Sequence, residues 1–390
     1  MLKKHTLMRE NNVSTVITQI INHPEISRAE IAKSTQLNKA TVSEIVRDLI
    51  DKHYILETGI GESSFGGGRR PILLKTNKKA GMSFSFDIRF DRVSYMACYL
   101  DGEVIEMDSF DLYIDSQNIV KIISDIVKDY QKGMPQTPYG IVGITIAVHG
   151  IVSNNKIVYT PYYDISALNL VEILTNELDI PVYLENEANL TALAESTLDS
   201  QHKNLITLSI HTGVGAGIII NDNLYTGYEG RSGEIGHTTL YPDGIRCTCG
   251  NNGCLEQYCS ETSLLKFFRN AHQNLSLTTD DLVKDYKNQD PIAVELIEDF
   301  AKNLSIGIIN LAGMYGPQVV YLSGSIINKL PSIVDMILEN LESTIYKWLP
   351  VKVSKIMEDS ALHGATITNI QYFFGVNNIN LSKKSLHQFE

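Results

Sequence analysis

Long apolar runs are missing from this 390-residue chain. No stretch reaches the roughly 20 residues needed to cross a bilayer, and residues 1–30 hold no apolar core of a secretory signal, so a cytoplasmic protein is expected. Positive charge is scarce too. The 33 Lys and Arg face 45 Asp and Glu, and a net charge of −12 excludes a chain that coats nucleic acid along its whole length. Cysteine is sparse and unevenly spread: Cys98 stands alone, while Cys247, Cys249, Cys254 and Cys259 crowd into thirteen positions. Without a secretory signal, such crowding reads as metal binding rather than disulfides. What is present is ample apolar material, 43% of residues, enough to fill more than one sizeable core.

The charge is unequally divided. Residues 1–79 carry 13 Lys and Arg against 8 Asp and Glu, so the basic head contrasts with an acidic remainder. Within the head, Val13, Val16, Ile17, Ile20 and Ile21 recur at helical spacing until Pro24. Ser27-Arg28-Ala29-Glu30 is a capping box that opens a short second helix. A tight turn at 34–37 follows, and Asn38 caps a third helix with the apolar stripe Val42, Ile45, Val46, Leu49 and Ile50. That order predicts a helix-turn-helix over residues 1–80, with Lys39, Thr41, Ser43 and Arg47 off the stripe and facing DNA. Tyr54–Glu57 and Ile72–Leu74 read as two strands of a wing. Its Gly66-Gly67-Gly68-Arg69-Arg70 tip would let Arg69 and Arg70 enter an electronegative minor groove.

Residues 81–390 alternate strands and helices. Strands are expected at 83–88, 93–100, 104–110, 140–148, 182–185, 205–210, 217–220 and 319–322. Helices are expected at 119–130, from 186, near 291–314 and near 331–347. A glycine turn, 211–216, would join two of the strands. This pattern predicts two α/β lobes facing a cleft.

Within the second half, His237, Cys247, Cys249 and Cys254 stand at metal-ligand spacing, with Gly250 and Gly253 able to supply the turns of a knuckle. One imidazole and three thiolates close a tetrahedral zinc shell and leave no position for water, so the expected site is structural. Glu234 and Glu256 flank the four ligands and remain free to bind something else. Cys259 lies beyond the motif as an ordinary packed residue.

The helix-turn-helix, the run GGGRRP, the ENEAN stretch at 185–189, TGVGAG at 212–217 and the His/Cys3 knuckle together resemble the ROK family of repressors and sugar kinases. The resemblance covers nearly the whole chain and is strongest to the family's xylose-responsive repressors. It implies an actin-like (ribonuclease H-like) body, a homodimer on a palindromic operator, and a sugar inducer in the cleft, xylose favoured. Asn186, Glu187, Glu234, His237 and Glu256 resemble its sugar-contacting positions, and Gly150, after a buried strand, would let the ligand approach the backbone. Zinc on one nitrogen of His237 would fix the tautomer and aim the other at a sugar hydroxyl.

The family's kinases make an enzyme the alternative reading, and three positions argue against it. Where the kinases carry Asp-x-Gly-Gly-Thr, this chain has Asp87-Ile88-Arg89-Phe90-Asp91, whose bulky residues and second carboxylate oppose a phosphate. Glu187 replaces the catalytic Asp, displacing the carboxylate by roughly an ångström. Ser323-Gly324-Ser325 replaces the glycine pair near adenosine. Other readings left open are a repressor of another sugar, and a DNA-binding protein whose body only dimerises.

Overall fold

The computed structural model describes residues 2–60, 70–161, 165–199, 201–342, 344–356 and 359–381. Contacts divide the chain into two compact units, one of residues 1–146, 168–184 and 365–390, the other of 147–167 and 185–364.

The first unit begins with the winged helix-turn-helix. Its helices are Leu2–Asn22, Arg28–Thr35 and Lys39–Asp51. Ser27 closes the expected capping box with Glu30, and the Asn38 side chain accepts from Thr41 N at 2.7 Å, so both N-terminal signals hold. The turn between the second and third helices passes through Gln36 at φ 60, a left-handed position occupied here without glycine. Val42, Ile45, Val46 and Leu49 are buried, as are Val16, Ile17, Ile20 and Ile31 on the first two helices. The wing has three strands rather than the expected two. Ile26–Ser27 pairs with Ile72–Thr76, which pairs in turn with Ile55–Ile60. A two-residue strand has no periodicity of its own to read, and only its partner makes it one. Most of the wing tip, Arg69 included, lies outside the described residues; Arg70 is exposed.

The rest of this unit is a five-stranded sheet in the order Val182–Asn186, Ile141–Val148, Met82–Ile88, Arg92–Tyr99, Val104–Asp111. The helix Ile119–Gly133 turns Ile119, Ile123 and Val127 inward. A C-terminal helix, Ser360–Phe374, was not foreseen from the sequence. It presents no amphipathic stripe, because Ala365, Ile367 and Ile370 are buried alongside Thr366 and Asn369. Asn369 is held where apolar neighbours alone would leave it costly: its amide donates to Ser83 Oγ (2.8 Å) and Phe84 O (3.0 Å), and its oxygen accepts from Thr145 Oγ1 (2.7 Å).

The second unit's sheet runs Asn223–Leu224, Val214–Ile220, Leu205–Ile210, Val319–Ser323, Val351–Val353. Numbered along the chain within each unit, both sheets share one strand order, 3-2-1-4-5. The actin-like body is therefore two copies of one ribonuclease H-like lobe topology. The expected turn 211–216 is shorter than the glycines suggested: Val214, Gly215 and Ala216 pair with Ile210, Ser209 and Leu208 as strand. Gly215 and Gly217 serve close packing instead. A Cβ at 217 would stand 2.1 Å from Ala188 O, on the helix Glu187–Leu198. That helix and the strand beside it position the candidate site. Among the described residues no helix is long and apolar enough to cross a membrane.

Candidate functional site

Every residue singled out for sugar contact belongs to the second unit. They fall into two groups joined through one strand.

The first group surrounds the start of the helix Glu187–Leu198. Asn186 is its N-cap: Oδ1 accepts from Asn189 N at 3.1 Å, while Nδ2 donates to Gly150 O at 2.7 Å. Both polar ends are thus engaged, and Asn186 braces the helix against Gly150. Gly150 itself must lack a side chain, since a Cβ would lie 2.2 Å from Tyr159 O. Glu187 is buried, and its Oε1 accepts from Ser209 Oγ (2.7 Å) and Thr191 Oγ1 (3.0 Å). These two hydroxyls fix the carboxylate at the helix N-terminus, where negative charge is favoured. Beside it, Glu185 accepts from Asn186 N (2.8 Å) and Asn189 Nδ2 (2.9 Å), and burial raises its pKa above the usual carboxylate range in spite of those bonds.

The second group is the knuckle. The ligand atoms of His237, Cys247, Cys249 and Cys254 all lie within 4.8 Å of one another. Cys247 Sγ is 3.6 Å from His237 Nδ1, and Cys249 Sγ is 3.6 Å from Cys254 Sγ. Donors bound to zinc at about 2.0–2.3 Å in a tetrahedron stand roughly 3.5–3.8 Å apart, so the cluster fits that ion. Gly253, at φ 65, makes the tight return possible; a Cβ there would meet Tyr241 O at 1.6 Å. Cys259 stays outside the cluster, fully buried near Phe300 O, as an ordinary core residue.

Around the knuckle stand the two flanking carboxylates. Glu256 is buried, with Oε1 3.0 Å from Cys247 Sγ and 3.6 Å from His237 Nδ1. Glu234 Oε2 lies 3.9 Å from His237 Nε2, the nitrogen pointing away from the thiols. Burial raises the Glu234 pKa, against the favourable charge of His237 and with the repulsion of Glu256. The strand Val214–Ile220 ties the groups together: Gly215 abuts Ala188, and Ala216 N donates to Gly233 O at 2.8 Å.

Tyr159, which sequence reasoning missed, adjoins the first group. Its carbonyl packs on Gly150. Its phenol pKa is raised by burial and by the negative charge of Cys249, Cys247, Glu256 and Glu234, although 37% of the residue stays exposed. No local pattern marks it, since its role follows from where a short hairpin, Ile151–Ser153 with Lys156–Tyr159, folds back. Glu185 had a signal: a carboxylate closing the apolar strand run Val182–Leu184. The arrangement offers carboxylates and an imidazole to a small polyhydroxylated ligand.

In the head, Lys39 and Arg47 are exposed, and Thr41 and Ser43 are half-buried, all off the apolar stripe. Ser43 Oγ donates to Lys39 O at 2.8 Å. The N-terminal end of this helix is therefore free of core packing, as a groove-reading helix requires.

Comparison with known proteins agrees with both parts. The ROK family pattern matches residues 93–371, and a winged helix-turn-helix DNA-binding pattern matches residues 15–55. The chain is 36% identical to the xylose repressor of Bacillus spizizenii, over 88% of this chain and 90% of that one. A crystal structure of a ROK family transcriptional regulator, a homologue of the E. coli MLC protein, superposes with TM-score 0.81 at 25% identity, covering 94% and 97% of the two chains. A ROK family glucokinase from Streptomyces griseus, solved with glucose and AMPPNP, superposes with TM-score 0.66 at 22% identity. It covers 74% of this chain and 99% of its own, a likeness of fold.

Proposed function

Since the chain belongs to the ROK family, we propose that it is a transcriptional repressor released from its operator by a sugar, with xylose as the inducer. The observation that carries the reading is the union of two devices on one chain: a capped recognition helix, and a His237, Cys247, Cys249 and Cys254 cluster that could hold a metal beside the buried Glu256. The resemblance to a xylose repressor over nine-tenths of the chain's length supports the choice of sugar.

In this reading Glu187, held by Ser209 and Thr191 through one oxygen, turns the other to a sugar hydroxyl. Glu234 and Glu256 accept further hydroxyls, His237 Nε2 meets another, and Asn186 and Gly150 frame the pocket. His237 Nδ1 and the three thiolates would hold zinc, which when bound supplies no open coordination position and only stiffens the loops bearing Glu234 and Glu256. Lys39, Thr41, Ser43 and Arg47 meet the major groove, and Arg69 and Arg70 the minor groove. A two-fold homodimer would place two such heads on a palindrome.

A kinase reading is less well supported. The turn that would have to cradle phosphate spends its groups internally: Arg89 N donates to Arg92 O at 2.9 Å, and Arg89 Nε lies 3.3 Å from the buried Asp87 carboxylate. The test is a thermal-shift series with pentoses and hexoses, because a bound sugar must stabilise the fold by mass action. Xylose should raise Tm in the millimolar range or below. A chain indifferent to every sugar is no sensor, and one that turns over ATP with a sugar is a kinase.

A further inference from the structure

The connection between the head and the rest of the first unit is not a tether. Between the wing strand ending at Thr76 and the sheet strand starting at Met82 there are only residues 77–81, wound as a 3-10 turn at Lys78–Ala80. Its backbone is tied down on both sides: Leu100 N donates to Lys78 O (3.1 Å) and Tyr139 N to Ala80 O (2.9 Å). At Gly81 even a methyl group would collide with Val142 Cγ1, at 2.3 Å.

A second tie grips the far end of the recognition helix. Lys52 is its C-cap, and the carbonyls of residues 52, 53 and 54 are all taken, the first by a side chain of the sheet-bearing part and the other two by Asn77 at the start of the connection. Lys52 O accepts from the Tyr139 hydroxyl (3.0 Å), His53 O from Asn77 Nδ2 (2.9 Å) and Tyr54 O from Asn77 N (2.9 Å). Around them four rings pack together. The Tyr54 centroid is 5.5 Å from Tyr139, 4.9 Å from Phe373 and 5.4 Å from Phe374; Phe373 is 5.1 Å from Tyr139 and 4.9 Å from Phe374. These separations are those of favourable tilted and edge-to-face pairs. A third tie, Asn380 N to Asn22 Oδ1 at 2.8 Å, fastens the end of the first helix.

We propose that Tyr54, Tyr139, Phe373 and Phe374 form a keyed joint that fixes the angle of the recognition helix on the first unit. Tyr139 and Phe373 are positioning residues. They are not among the residues assigned above to DNA or sugar, and they set where Lys39 through Arg47 point. Resting on the repressor reading above, the consequence is that sugar releases DNA by re-aiming heads that stay fixed, not by loosening them. Rings locked face to edge transmit a rotation, whereas a flexible linker would absorb it.

Two readouts on the full chain test this. The first needs no sugar. Trypsin should leave the Lys78 and Lys79 bonds of the wild type uncut, while Tyr139→Ala and Phe373→Ala should release a head fragment, identified by mass, at least tenfold faster. Rapid clipping there in the wild type, or no acceleration in either variant, overturns the joint whatever the inducer is. The second uses a fluorescent duplex selected from random DNA by the wild-type chain. Phe373→Ala should keep its xylose-induced thermal shift, yet its ratio of operator Kd with and without xylose should shrink to within about threefold of unity. Tyr139→Phe keeps the rings and loses one hydrogen bond, so it should fall between. A wild-type ratio in Phe373→Ala, or in Phe373→Leu should the alanine form not fold, contradicts the proposal. Loss of the thermal shift in the wild type instead sinks the sensor reading and leaves the trypsin result standing.

Discussion

At the scale of single residues, the side chains that could hold a metal were the most legible, because a knuckle is built from near neighbours whose spacing is its geometry. Cys247 and Cys254 are buried, and their donor atoms lie with those of Cys249 and His237 without any help from distant elements. Cys249→Ser should therefore lose bound zinc by elemental analysis and lower Tm, since a closed site contributes to folding directly. Glu256→Gln should still bind operator by anisotropy while xylose no longer weakens the complex. The buried acid Glu195 carries a pH signature. It accepts from Ser354 Oγ, yet burial keeps its pKa above the ordinary value of 4.5. A carboxyl that is harder to ionise when folded favours the native state while protonated. That contribution is present below the unfolded pKa and disappears as pH rises through the higher folded one. Urea unfolding from pH 4.5 upward should thus show Glu195→Gln losing less stability than the wild type. Tyr159 was illegible for the opposite reason to the knuckle. Its carbonyl meets Gly150 only because a short hairpin folds back, and nothing near residue 159 announces that.

At the scale of elements, helices with caps and stripes could be read, and those buried on all sides could not. Asn38, Thr41 and the stripe from Val42 to Leu49 stand as expected. Asn38→Ala should cost about 1 kcal/mol in chemical unfolding, the usual worth of a cap, and weaken operator binding by loosening the first turn that carries Lys39 and Thr41. The helix Ser360–Phe374 escaped notice because Ala365, Thr366, Ile367 and Asn369 are all buried, which erases the period by which helices are recognised. The run Thr212–Gly217 misled for a physical reason of its own. Glycine serves both sharp turns and close approach, and only Gly213 lies in the turn, while Gly215 and Gly217 make room for Ala188. At the wing, Arg70→Ala should weaken operator binding and flatten its salt dependence, since each lost phosphate contact releases fewer counterions.

At the scale of the molecule, the sequence showed a basic head on an acidic α/β body, but hid that the body repeats one strand order twice. Repetition of topology without repetition of residues leaves no internal similarity to find. It also hid the fixed join between the head and the rest of the first unit, because Tyr54, Tyr139 and Phe373 meet only after folding. The whole assembly makes sense as a device that converts sugar binding into a change of DNA affinity, limited by the sugar's differential affinity for the two states. The most direct test is the anisotropy of the selected duplex titrated with the full chain, with and without saturating xylose. A repressor of this kind loses at least tenfold in affinity with xylose, about 1.4 kcal/mol, and keeps its affinity with galactose. Identical curves with and without every sugar tried would contradict it.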